Sequence, residues 1–149
     1  MNAALRALAM AALLAVVPPA LAADDLPRSG SQADVRYRHG IPNAIRFDAS
    51  GTQVWEYNDW RHGRRAFVVN FDAAGQVVAS RPLRTEEEVN RAVAERLTRP
   101  ETLDRLGEPH SIADGPEGLV WRYRQPSGVT LAVRFGADGR IADASTTAR

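Results

Sequence analysis

The sequence predicts an α+β fold made of two tandem units. Each unit is expected to be a helix followed by a three-stranded antiparallel sheet, with the helices on one face. Three observations lead there. A phrase recurs: GIPN, GTQVWEY and FVVNFDAAGQVVAS return as GEPH, GLVWRY and LAVRFGADGRIADAS. Gly40, Pro42 and Gly51 match Gly107, Pro109 and Gly118 at a spacing of 67, Trp55 and Tyr57 match Trp121 and Tyr123 at 66, and Val69, Phe71 and Gly75 match Val133, Phe135 and Gly139 at 64. Both changes of spacing fall at expected turns, where chain length varies at little cost; inside a paired strand a one-residue slip would reverse the faces. Finally, the apolar residues alternate with period two, as in a sheet with one buried face.

The first 22 residues stand outside this pattern. Arg6 precedes the apolar stretch from Ala7 to Val17, and Ala20-Leu21-Ala22 is a small-x-small cleavage signal. Residues 1–22 therefore read as a secretory signal peptide cleaved after Ala22. A membrane helix is the other reading of such a stretch, but the run is too short to span a bilayer and Pro18-Pro19 breaks it. Residues 23–30 read as a linker, 31–84 as the first unit and 85–149 as the second. The expected location is periplasmic or secreted, with no transmembrane segment in the mature chain. The sequence has no Cys, so an exported domain must rely on its apolar core. Arginine and acidic side chains nearly balance, for a net charge of +1. That balance gives no global attraction to nucleic acid, which is not an expected partner.

In the first unit, Ser31 with Asp34 three residues on suggests a helix start, and a helix over 32–39 is expected by analogy with the second unit. Trp55 and Tyr57, then Phe67, Val69 and Phe71, form the inward rows. Asp72-Ala73-Ala74-Gly75 is a turn, with a third strand over 76–80. In the second unit, Thr85 with Glu88 and Thr98 with Glu101 read as capping boxes. Glu86, Glu87 and Glu88 suit the positive end of a helix dipole. Val89, Ala92, Val93 and Leu97 share a helical face. Leu103 and Leu106 point inward before Gly107 ends the helix. Strands follow at 119–124 and 130–135, with a weaker one at 140–145. Joined edge to edge, the two sheets would form one long sheet, its far side open and polar through Glu56, Asn70, Arg122, Arg124, Thr130 and Arg134.

Nothing in the pattern assembles a catalytic site. His39, His62 and His110 have no partner at metal-ligand spacing, and neither a nucleophile elbow nor a phosphate-cradling glycine loop is present. Asp72 and Asp138 fit hairpin turns better than calcium loops, which need more oxygen ligands. No metal and no cofactor is expected. Trp55 and Trp121, at matched positions, belong to the core. Trp60 has no counterpart. It stands with Arg61, Arg64 and Arg65 in a hairpin longer than its equivalent, which suits either a contact patch or an indole folded back over its own turn. As a patch it would meet an acidic protein surface or phospholipid headgroups.

The run TRPETLDRLGEPH, then WRY, then VRFGADGRI resembles the SmpA/OmlA family of BamE-like envelope proteins. The first unit carries the shorter set Gly40-Ile41-Pro42, Trp55-Glu56-Tyr57 and Phe71 to Gly75. The doubling is similar to β-lactamase inhibitor proteins. The resemblance implies an α+β fold, no catalysis and an envelope role through protein contacts, in outer-membrane assembly or envelope maintenance. The chain lacks a lipidation Cys and has two units where BamE has one. The expected function is a non-enzymatic, soluble periplasmic protein-interaction module whose partner is another envelope protein. The alternative is a protein inhibitor of a periplasmic or secreted enzyme. The binding residues expected are Trp60, Arg61, Arg64, Arg65, Arg122 and Arg124.

Overall fold

The structure, a computed structural model, describes residues 26–58 and 65–148. The signal-peptide reading and most of the Trp60 hairpin lie outside the described residues. The elements run α1 (Gln32–His39), β1 (Ala44–Phe47), β2 (Gln53–Tyr57), β3 (Phe67–Phe71), β4 (Val77–Pro82), α2 (Glu86–Ala94), α3 (Arg99–Leu106), β5 (Ser111–Gly115), β6 (Gly118–Arg124), β7 (Thr130–Phe135) and β8 (Ile141–Thr147). They form two antiparallel sheets, ordered β1-β2-β3-β4 and β5-β6-β7-β8.

Two expectations are corrected. Each sheet has four strands, not three, because β1 and β5 add an outer strand. Both are short, Ala-Ile-Arg-Phe and Ser-Ile-Ala-Asp-Gly, and an edge strand with one partner and one exposed side carries little hydrophobic pattern. The sheets are also separate and do not join into one long sheet.

The two halves agree in detail. Trp55 packs on Phe71 at 4.8 Å and 59°, and Trp121 on Phe135 at 5.0 Å and 62°. A register shift falls between Asn70 and Phe71 and again between Arg134 and Phe135. Ser31 bridges to Gln76 and Thr98 to Arg140, each pinning a helix start to its hairpin. The Gly30 carbonyl accepts Val77 N–H at 2.8 Å, and Leu97 accepts Ile141 N–H at 2.9 Å. The segment before α1, expected as a linker, is thus packed along β4; Pro27 is buried and its carbonyl accepts Ser80 Oγ.

The helices form for local reasons. Asp34 Oδ2 accepts both Ser31 N–H and Ser31 Oγ, while Ser31 Oγ accepts Asp34 N–H, so the start of α1 is satisfied reciprocally. Thr85 Oγ1 accepts Glu88 N–H to start α2. At α3, Glu101 Oε2 accepts Thr98 N–H and Oγ1 at 2.7 Å. Both α1 and α3 end at glycine, Gly40 (φ 81°) and Gly107 (φ 82°).

What the helices cover differs. Val35 is the buried residue of α1, in a core with Trp55, Tyr57, Val69 and Phe71. In the second half α2 and α3 share the work: Ala92, Leu97 and Leu106 join Trp121, Tyr123, Leu131, Val133, Phe135 and Ile141. Each such fully buried large apolar side chain contributes about 1.5–3 kcal/mol. The far face of the first sheet is covered in part as well. Val54, Ala66, Val68 and Leu83 form a buried cluster there, and Glu56 is 1% exposed. The expectation that Glu56 faces solvent on an open sheet is therefore wrong: the last turn of α3 docks against that face.

Candidate interaction surface

The docking is polar and specific. The end of α3 leaves carbonyls without helical partners. Arg81 of β4 and Arg84 just beyond it take those of Asp104, Arg105 and Leu106, and Arg46 of β1 adds a second donor to Leu103 O, which also accepts Gly107 N–H at 2.9 Å. Arg46 Nη2 donates to Leu103 O at 3.1 Å, Arg81 Nη1 to Arg105 O at 3.1 Å with Nη2 on Asp104 O, and Arg84 Nη1 to Leu106 O at 2.9 Å. Positive charge at a helix C-terminus is also favoured by the macrodipole. Glu56 completes the joint. It receives Arg46 Nη1 at 2.8 Å, lies 3.7 Å from Arg84, and accepts Glu108 N–H just past the helix end. Burial pulls Arg84 below the ordinary arginine value, and Glu56 opposes that. The Arg84 guanidinium also sits 5.2 Å from the Tyr123 ring, whose phenol burial pushes up.

The second sheet is different. Ala113, Val120, Arg122, Arg124, Thr130, Ala132, Arg134 and Ser145 share its far face by register, and each is partly or fully exposed. Arg134 is engaged there by Asp143, with Nε at 3.1 Å, which raises its pKa. The polar face expected for both sheets thus exists on one.

Where this face meets the first unit, a cleft of about 240 Å³ opens, lined by Arg65, Leu83, Arg84, Thr85, Glu86 and Arg124 among others. Arg65 and Arg124, distant in sequence, come together at it. Arg122 lies on the open face outside the cleft. Trp60, Arg61 and Arg64 lie outside the described residues. His110 sits beside this cluster, its N–H on Arg122 O at 2.8 Å. Burial and then the charge of Arg124 hold its imidazole below the ordinary histidine value.

No protein-family model and no curated protein matches this sequence. Among solved structures it is similar to a DUF4309 family protein (YjgB) from Bacillus subtilis subsp. subtilis str. 168, at 16% identity and a TM-score of 0.34, covering 80% of this chain and 79% of that one.

Among the described residues, no group of three or more His, Asp or Glu could hold a metal ion, and no helix is long and apolar enough to cross a membrane. The arrangement can recognise acidic groups and offer an extended sheet surface. Sequence reasoning missed the joint residues Arg46, Arg81 and Arg84. It also missed a row of exposed apolar side chains around α1 and β1: Tyr37 (93%), Ile41 (73%), Ile45 (54%) and Phe47 (68%).

Proposed function

We propose that this chain is a non-enzymatic protein-interaction module of the cell envelope, of SmpA/OmlA type, exported by its N-terminal segment and acting on another envelope protein. The contact surface is the far face of the second sheet with the adjoining arginine cleft. One observation carries the reading: of the two polar sheet faces, α3 docks on one and buries Glu56, while the residues of the other stay partly exposed, and Arg124 on that one lines a cleft with Arg65 and Arg84. Arginine at a partly desolvated site is a frequent interface anchor. The Trp60 hairpin adjoins Arg65 in sequence and would extend the surface. An inhibitor working as a double concave sheet would need both far faces, so that reading draws on one sheet only.

The test is photocrosslinking in cells with a reactive residue at position 122 or 132, and with buried position 69 as the control. A discrete protein adduct from 122 and 132 is expected. Absence of any protein adduct, or flotation of the purified chain with anionic vesicles in its place, overturns the reading.

A further inference from the structure

We infer that the far face of the second sheet receives the C-terminal end of a helix from the protein partner, as the first sheet receives α3. The inference rests on the interaction reading above and names the element recognised. The two faces match position by position. Val54, Glu56, Ala66 and Val68 of the first correspond to Val120, Arg122, Thr130 and Ala132 of the second. The pairs Val54↔Asn70 and Glu56↔Val68 return as Val120↔Arg134 and Arg122↔Ala132. On the first face a helix end occupies this grid. Glu56 accepts Glu108 N–H at 3.0 Å just past α3, and Asp104 and Arg105 of α3 line one cleft with Val54 and Val68. On the second face Val120, Arg122, Thr130 and Ala132 are all partly exposed. One copy of a duplicated surface thus has its occupant within the chain, and the other presents the same grid outward.

The differences between the faces select the helix end. A helix C-terminus offers carbonyls without helical partners and a partial negative charge. On the first face Arg46 and Arg81, from the outer strands, donate to such carbonyls, and Glu56 on the central strand holds the chain beyond them. On the second, Ala113 and Ser145 stand where Arg46 and Arg81 do, and Arg122 stands where Glu56 does. The donor has moved from the outer strands to central β6, and the small side chains of Ala113, Ala132 and Ser145 let a backbone approach it. Arg134 is held by Asp143 and is not counted as a donor. A second copy of the chain does not supply the matching end. Its α1, the counterpart of α3, carries Arg36, Arg38 and His39 in the last turn, and like charge facing Arg122 opposes docking. The occupant is therefore a partner helix whose last turn is uncharged or acidic.

The experiment maps the photocrosslinks of the full chain in cells. Adducts formed with the reactive residue at 122 or at 132 are digested, the captured partner residue is identified by mass spectrometry, and that residue is placed in the partner's structure. Capture is expected in the last turn of a helix or just beyond it, with no Lys or Arg in that turn. Ala132→Phe fills the middle of the face with a side chain suited to a strand. It should lower the yield from position 122 about tenfold while keeping the melting temperature within about 3 °C. Capture on a strand, a loop or the side of a helix, or an undiminished yield in Ala132→Phe, overturns the inference and leaves the interaction reading standing. Capture of residues 36–40 of a second copy, or no protein adduct from either position, overturns both.

Discussion

The carboxylate of Glu56, on the first sheet, accepts the backbone N–H of Glu108 in the second unit, at 3.1 and 3.0 Å from its two oxygens. One side chain in the middle of a strand therefore ties down the chain just beyond α3. The same carboxylate neutralises Arg46 and faces Arg84.

Removing it leaves buried cations without an anion. Glu56→Ala is expected to destabilise the protein by about 3–5 kcal/mol, the range for breaking a buried ion pair from one side. Glu56→Gln should cost less, because its amide oxygen can still accept Glu108 N–H. Urea denaturation read by tryptophan fluorescence measures both. A loss below about 1 kcal/mol for Glu56→Ala would show that the joint contributes little.

Gly40 and Gly107 end equivalent helices with nearly equal φ, yet their surroundings differ. A Cβ at Gly40 meets nothing within 4 Å, so Gly40→Ala should cost only the strain of its positive-φ, extended backbone, about 1–3 kcal/mol. A Cβ at Gly107 would lie 2.5 Å from Glu56 Oε1. Gly107→Ala must displace that carboxylate and should cost clearly more. Combined with Glu56→Ala, its cost should be less than additive. Equal effects of the two single substitutions would contradict the docking.

Stability should fall in acid. Hydrogen bonds hold Asp34, Asp48, Glu101 and Asp138 below the ordinary carboxylate value. For acids with a depressed folded pKa, the contribution is present above the unfolded value and is lost as pH falls through the folded one. Melting temperature should therefore drop below about pH 4, and Glu101→Gln should lower the melting temperature at pH 7 while flattening that drop. His110 acts in the same direction at higher pH. Its folded pKa is lowered from 6.5, so the unfolded chain binds the proton first as pH falls from that value. His110→Asn should remove this slope in melts between pH 7 and pH 5.

Surface substitutions separate binding from folding. Arg122→Glu lies on the open face and should shift stability by no more than about 0.5 kcal/mol. It should reduce the yield of the position-132 adduct about tenfold by reversing one interfacial charge. Phe47→Ser, on the exposed α1 and β1 side, should leave both melting and adduct yield unchanged. A loss of adduct with Phe47→Ser and none with Arg122→Glu would move the contact to the other side of the molecule.

Much of the architecture was legible because it rests on local rules. The caps at Ser31, Thr85 and Thr98, the glycine ends at 40 and 107, and the inward rows through Trp55 and Trp121 each depend on a few neighbouring residues. Even α1, with one buried apolar residue, followed from the spacing it shares with α3. The outer strands did not show, because Ile45 and Ile112 are exposed and too few to establish a period.

The sequence alone determined which residues turn inward in each half, since side-chain alternation and helix capping are set within a few bonds. Tertiary structure decided what the outward residues do. Glu56 and Arg122 occupy matched positions on matched strands, and period-two alternation assigns both to solvent. Only the docking of α3, some fifty residues further along the chain, buries Glu56 and leaves Arg122 exposed. Its effect is non-local because a helix end with unsatisfied carbonyls must find donors, and the arginines that supply them come from another part of the chain.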